Sequence, residues 1–326
     1  MIKVAINGFG RIGRLTFRRI IDHHPNLKIV AINDLGDQKT IVHLLRYDSN
    51  YGRYEKAEEA IKGVKFFAEK DPDNLPWAGL NVDVLIESTG CFTDYDSAKK
   101  HISAGAKKVI ISAPCKSPDK IPSYMLGVNE GDFDIKKYDI VDMASCTTNC
   151  LGPVVKVLND NFKVIKGFMT TSHAYTNDQK ILDLPHRDLR RARAAALNII
   201  PTSTGAARSI GRVIPELEGK LDGIALRVPI PTVSILDLIC EVEKKTTAEE
   251  VNNAFKKAAQ KMKGILAVED APLVSSDYIG NTYSATVDMP LTMVNENLVK
   301  VFAWYDNEYG YACRLAEFVE FIGKKL

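Results

Sequence analysis

A cysteine set among small hydroxyl and amide side chains, Ala144-Ser145-Cys146-Thr147-Thr148-Asn149-Cys150, runs directly into an apolar stretch at residues 151–158. Small polar residues ahead of an apolar-periodic run predict a helix start. A thiol placed there sits at the positive end of the helix dipole, and that field favours thiolate over thiol. Thiolate is the nucleophilic form, so the spacing points to covalent chemistry on Cys146. The competing reading is a buried, inert cysteine, which is common for a free thiol. Cys150, one turn further on, is expected to be the buried one of the two, where burial raises the thiol pKa.

A thiol nucleophile needs a base. A strand-like run at residues 162–171 delivers Ser172-His173-Ala174-Tyr175-Thr176-Asn177-Asp178 to a polar loop. An imidazole beside Cys146 would stabilise thiolate and shuttle protons. The residues alone leave a structural histidine equally open. The following loop, 182–196, carries Arg187, Arg190, Arg191 and Arg193 without an amphipathic stripe. That pattern suits a solvated basic face, an anion site or a packed interface. Pro201-Thr202-Ser203-Thr204-Gly205-Ala206-Ala207 is expected to open a helix with hydroxyls and glycine, an arrangement suited to phosphate. Arg227 interrupts an otherwise apolar strand, and a charge in that setting calls for an anionic partner.

The elements ahead of the cysteine form a different pattern. Val4-Ala5-Ile6 predicts a short buried strand, and Gly8-Phe9-Gly10-Arg11-Ile12-Gly13 follows it at once. Helical spacing of Leu15, Phe17, Ile20 and Ile21 comes next. Strand, glycine turn and helix are the context that GxGxxG requires for a dinucleotide. A second strand, Lys28-Ile29-Val30-Ala31-Ile32, ends at Asn33-Asp34, and Asp34 lies 21 residues after Gly13. A carboxylate there accepts hydrogen bonds from an adenosine ribose and repels a 2′-phosphate. Further strands at 82–86 and 108–111 alternate with a helical stretch at 95–104, which implies a mostly parallel sheet. Thr89, Gly90 and Ser112 follow such strands and are candidate cofactor-lining residues. Beyond residue 148 the strands at 232–242, 282–287 and 298–304 suggest a large, largely antiparallel sheet. An amphipathic helix is expected at 248–261 and a final helix at 311–322. The fold class expected is α/β, a Rossmann domain joined to an α+β catalytic domain. The first comprises residues 1–147 with the C-terminal helix 311–326, and the second residues 148–310.

With 326 residues, two domains are the default. A formal net charge of +2 gives no global drive toward nucleic acid or membrane. No apolar run reaches transmembrane length, and the first residues enter a strand without a signal-peptide pattern. Six cysteines make no disulfide framework, so a reducing cytoplasm is expected. Cys146 and Cys150 lack zinc-ligand spacing and no metal is expected. The neighbours His23 and His24 read as surface residues.

Together the segments INGFGRIGR, ASCTTNCL, HAYTNDQ, LRRARAAA, PTSTGAA, RVPIPTVS and WYDNEYGYA resemble phosphorylating glyceraldehyde-3-phosphate dehydrogenases, in that family's order and over nearly the whole chain. The resemblance implies that Cys146 attacks an aldehyde and that His173 is its base. It also implies passage through a hemithioacetal and a thioester, which inorganic phosphate resolves. Thr176 and Arg227 match the site for the phosphate of glyceraldehyde 3-phosphate. Ser145, Thr147, Thr204 and Gly205 match the site for inorganic phosphate, with Arg191 in the loop near these anions. Gly8, Gly10, Arg11, Ile12, Gly13, Asp34 and Ser112 match positions on NAD, Asn307 the residue holding the nicotinamide amide, and Lys70 an adenine-side position often occupied by arginine. The family also implies a homotetramer packed through the Arg-rich loop, with neither membrane nor nucleic acid as partner. Two rivals are weighed: an erythrose-4-phosphate dehydrogenase, whose relatives usually lack HAYTND and PTSTGAA, and a dinucleotide-binding protein with a non-catalytic role.

Overall fold

The computed structural model describes residues 1–326, which divide into two units. One comprises Met1–Leu126, Glu130–Ser145 and Ala312–Leu326; the other comprises Gly127–Asn129 and Cys146–Tyr311.

In the first unit, β1 (Ile2–Asn7) is an apolar run with Val4, Ala5 and Ile6 fully buried. Gly8 ends it at φ +91°, and α1 (Arg11–His23) starts after Gly10. Next come β2 (Leu27–Asn33), α2 (Gln38–Arg46), the two-residue strands β3 (Tyr47–Asp48) and β4 (Gly52–Arg53), α3 (Ala57–Ala60) and β5 (Lys65–Phe67). The unit continues through α4 (Trp77–Leu80), β6 (Val84–Glu87), α5 (Tyr95–Ser103), β7 (Lys108–Ile111) and β8 (Ile140–Asp142). Six of these strands make one sheet in the order β5-β2-β1-β6-β7-β8. Every pairing in it is parallel. A parallel sheet is covered on both faces, which is why the middles of its inner strands are mostly Val, Ile, Leu and Ala. The strand order reverses between β1 and β6, and ligands of doubly wound sheets bind outside the carboxyl ends at that switch point.

The second unit begins with α6 (Cys146–Phe162) and β9 (Val164–Ala174). It continues through β10 (Ile200–Ser203), β11 (Leu221–Val228), β12 (Ser234–Val242), α7 (Ala248–Lys261), β13 (Leu266–Glu269), β14 (Ala285–Asn295) and β15 (Leu298–Tyr305). Seven strands form a mixed sheet in the order β10-β11-β9-β12-β15-β14-β13. The β11–β9 and β13–β14 pairs are parallel and the others antiparallel. Thr247 caps α7 in a capping box with Glu250, and Val251 and Phe255 bury its apolar stripe. The last helix, α8 (Tyr309–Gly323), starts where the Asp306 carboxylate accepts the Glu308 and Tyr309 N–H groups.

Two sequence expectations are corrected. The PTSTGAA segment opens no helix. Ile200–Ser203 pair with β11 as the edge strand β10, where a proline costs no ladder hydrogen bond on its outer side. Thr204 then makes a turn, accepting the Ala206 N–H at 3.2 Å, and only a short 3-10 helix, Arg208–Arg212, follows. His24 is not a surface residue: it is buried, with Nδ1 2.6 Å from Glu320 of α8. The sequence separation of those partners hid the contact, while His23 is exposed as expected.

Candidate active site

The candidate catalytic side chains assemble from three elements of the second unit. Cys146 is the first residue of α6, half-buried, with Sγ 3.5 Å from His173 Nε2. His173 is the penultimate residue of β9, and the parallel register sets Arg227 of β11 directly beside it. Arg227 Nη1 lies 2.8 Å from His173 Nδ1 and donates to the Ala174 carbonyl at 3.0 Å. The same Nδ1 lies 2.7 Å from that carbonyl. These contacts define two proton arrangements. With Nδ1 bare, Arg227 donates to it and Nε2 carries the proton facing sulfur. With Nδ1 protonated, it donates to Ala174 O and a bare Nε2 faces the thiol.

Burial and the adjacent guanidinium lower the His173 pKa to about 3, so its neutral form holds at ordinary pH. Burial pushes the Cys146 thiol up, against the pull of Arg227 and of hydrogen bonds from Thr147. Desolvation thus works against the helix-start field at Cys146, and the imidazole beside it is held neutral. Cys150 is fully buried, and burial pushes its thiol well above the ordinary range. All six cysteines are free thiols.

Arg227 has no carboxylate partner, and its Nε is buried without a hydrogen bond. The anion expected opposite this strand arginine is thus not supplied by the fold. Thr176 follows β9 on a turn closed by Gln179. Arg191 is held by the Asp178 carboxylate, by Thr202 Oγ1 at 2.8 Å and by the Ser203 carbonyl at 3.2 Å, so it braces the loop. Gly205 is exposed in the turn after β10. Thr147 is buried, its hydroxyl 2.9 Å from the Tyr305 hydroxyl, which also lies 2.8 Å from Thr171 Oγ1. Asn307 is buried, and its Oδ1 accepts from Ser234 Oγ at 3.0 Å, leaving the amide N–H groups as donors.

Tyr305, Thr171 and Ser234 were not singled out from sequence. Thr171 stands two residues before His173, so period-two alternation on β9 places both on one face. Tyr305 and Ser234 are paired across β15 and β12, a long-range register that local spacing does not disclose. Ser145 is the last residue of its segment of the other unit, immediately before Cys146.

In that first unit, a cavity of about 400 Å³ opens over the switch point, lined by Asn7, Gly8, Gly10, Asp34, Lys70 and Thr89 among others. The glycines are required there. A Cβ on Gly8 would lie 2.5 Å from Thr89 N, and one on Gly13 would lie 2.2 Å from the Gly8 carbonyl. Gly10 instead faces open space. First-turn amides at Ile12 and Gly13 have no intrahelical acceptor, which suits a pyrophosphate. Asp34 is fixed at the rim, Oδ2 accepting Phe9 N–H at 2.7 Å and Oδ1 accepting Gly36 N–H at 2.9 Å. These residues fit NAD. The Arg11 guanidinium pairs with Asp48 at 2.6 Å, and Arg11 does not line this cavity. Ser112 follows β7, its N–H bonded to the Glu87 carbonyl, and it does not line this cavity. Leu35, Glu69, Cys91 and Phe92 also line it and were not foreseen.

A family model described as the glyceraldehyde 3-phosphate dehydrogenase NAD binding domain matches residues 2–95, and the C-terminal domain model of the same family matches residues 145–307. A glyceraldehyde-3-phosphate dehydrogenase 2 of Streptomyces avermitilis is 53% identical, covering 100% of this chain and 99% of the relative. The glyceraldehyde-3-phosphate dehydrogenase of Geobacillus stearothermophilus is 52% identical over 99% of each chain. A chloroplastic glyceraldehyde-3-phosphate dehydrogenase A of Chlamydomonas reinhardtii is 54% identical over 99% of this chain and 89% of its own. With both domain models matched in order and this identity holding from end to end, the chain belongs to the glyceraldehyde-3-phosphate dehydrogenase family.

Proposed function

We propose that this chain catalyses the NAD-dependent oxidation and phosphorylation of D-glyceraldehyde 3-phosphate to 1,3-bisphosphoglycerate. The observation that carries the reading is the Cys146–His173 contact at 3.5 Å with an arginine beside it that no carboxylate neutralises. Cys146 sulfur bonds to the aldehyde carbon while His173 Nε2 takes the thiol proton. The carbonyl electron pair moves to oxygen and receives that proton, giving a hemithioacetal. Bound NAD supplies the acceptor for the hydride on that carbon. His173 Nε2 removes the hydroxyl proton as the carbonyl re-forms, leaving a thioester on Cys146. An oxygen of inorganic phosphate then attacks the thioester carbon, the carbon–sulfur bond breaks, and sulfur recovers its proton from His173.

Arg227 and Thr176 hold the phosphate of the substrate. Thr204 and Gly205 hold the attacking phosphate, with Ser145 and Thr147, and Arg191 keeps their loop in place. An anion on Arg227 lifts its repulsion of a protonated His173, so phosphate binding prepares the base for its charged form. Asn307 orients the nicotinamide amide, and Asp34 selects NAD over NADP. The active protein is a homotetramer in a reducing cytoplasm. Supporting this are six free thiols and a sheet face that leaves Phe168 73% and Ile224 48% exposed. The loop after β9 also exposes Ile181, Leu182, Leu189 and Leu197. The deciding experiment is NADH formation from purified protein. Absorbance should rise only when aldehyde phosphate, NAD and inorganic phosphate (or arsenate in its place) are all present. No signal with all three would reject the reading.

A further inference from the structure

The last rung of the parallel sheet before the nucleotide cavity is polar and buried. Asn33 of β2, Asn7 of β1 and Glu87 of β6 stand opposite one another in register at the carboxyl ends of their strands. All three are buried, where an unpaired polar group is costly. Their side chains join sideways: Asn33 Nδ2 donates to Asn7 Oδ1 at 2.7 Å, and Asn7 Nδ2 donates to Glu87 Oε2 at 2.6 Å. His101 of α5 reaches the same Oε2 with Nε2 at 3.1 Å. Its other nitrogen, Nδ1, lies 3.1 Å from the Trp77 indole N–H. Indole can only donate, so Nδ1 must accept and the proton of a neutral ring must sit on Nε2. Trp77 therefore fixes the tautomer in which His101 donates to Glu87.

We infer that Glu87 and His101 are positioning residues for NAD, locking this rung so that its two ends hold the walls of the nucleotide cavity. The inference rests on the NAD reading of that cavity. At one end, Glu87 Oε1 accepts the N–H of Thr89 at 2.8 Å and also its hydroxyl. The Thr89 oxygen in turn accepts the Cys91 N–H at 3.0 Å. Thr89 and Cys91 line the cavity, as does Phe92, whose ring meets His101 edge-on at 6.0 Å. At the other end, Asn33 clasps the backbone of Glu69, accepting its N–H at 2.9 Å and donating to its carbonyl at 2.9 Å. That clasp sets Glu69 and Lys70 on the opposite wall, and the residues after the rung, Gly8, Asp34 and Ser88, also line the cavity. Four donors converge on Glu87: the Asn7 amide, the His101 ring and both groups of Thr89. A glutamine there would turn its own N–H groups toward donors and break one end of the chain.

The test is calorimetric binding of NAD, and of ADP-ribose as a probe without nicotinamide, to the full chain. Glu87→Gln should weaken both by about tenfold to a hundredfold. Trp77→Phe keeps an apolar ring in place and removes only the N–H that sets the tautomer; it should weaken both by about two- to tenfold. Turnover at saturating NAD and the cofactor-free alkylation rate of Cys146 should stay within about twofold of the parent for both variants, flat against the binding losses expected from lost hydrogen bonds. Should Glu87→Gln fail to fold, Trp77→Phe decides alone. Parent-like affinities in the folded variants would overturn the inference even if their melting temperatures fell. Losses confined to turnover or to Cys146 labelling would overturn it too. Failure of the parent chain itself to bind NAD is a separate result that refutes the cofactor reading.

Discussion

Cys146 and Cys150 show what one helical turn does to a thiol. The first faces an imidazole and a guanidinium; the second is fully buried, which pushes its pKa well up. Substoichiometric iodoacetamide should modify Cys146 with activity lost in proportion, while Cys150→Ser should keep most activity; the reverse pattern by mass spectrometry would exchange the roles. Arg227 lowers the pKa of Cys146, so removing its charge must raise it. Arg227→Gln should shift the alkylation profile of Cys146 to higher pH. It should also weaken both glyceraldehyde 3-phosphate and inorganic phosphate by about ten- to a hundredfold. An unchanged profile with unchanged Michaelis constants would make this arginine a packing residue. His173 carries a stability signature. Its folded pKa, about 3, lies below the ordinary value near 6.5. Between those values the unfolded chain binds more protons, so stability is complete above about pH 6.5 and is lost as pH falls toward about 3. Urea unfolding at about pH 7 and about pH 5 should therefore show a larger acid loss in the parent than in His173→Asn. Equal losses would mean the imidazole is not held neutral by the fold.

At the scale of elements, the turn from β1 to α1 is the most constrained piece of backbone. Gly8 at φ +91° has Thr89 N 2.5 Å from where a Cβ would stand. Gly8→Ala should lower the melting temperature, since left-handed strain alone costs about 1–3 kcal/mol, and should weaken NAD binding as the cradle deforms. Normal stability and normal NAD affinity together would show that the turn adapts. The end of β2 supplies the second constraint. Asp34 is held by two backbone N–H groups, so its charge has a fixed place at the cavity rim. Asp34→Ala should raise the NADP-to-NAD ratio of catalytic efficiencies; a ratio that does not move would assign cofactor choice elsewhere.

For the whole molecule, the exposed apolar residues of the second unit are the main unresolved cost of a lone chain. Phe168 and Ile224 lie on adjacent strands, and a patch of that kind marks a contact surface. If the proposed tetramer packs through this face, Phe168→Asp should reduce the mass measured by sedimentation below that of the parent. A parent that sediments as a monomer would refute the oligomer outright.

Much of this protein was legible in local sequence because the deciding physics was local. Strand, GxGxxG turn, helix and a terminal acid 21 residues after Gly13 can be read from spacing, since sterics and helix-end donors act within a few residues. Cys146 at a helix start was legible for the same reason, and its family motif added the roles of His173 and Arg227. Tertiary structure decided what depends on pairing between distant strands. The β9–β11 register put Arg227 against His173, and the β15–β12 register brought Tyr305 to Thr147 and Thr171. The Asn33–Asn7–Glu87 rung exists only once three strands lie side by side. The edge position of β10 made Pro201 a strand residue rather than the start of a helix. Burial, too, is a property of the packed chain. Sequence supplied the helix dipole that favours a thiolate, but only the packed site supplied the desolvation that opposes it at Cys146 and lowers the His173 pKa.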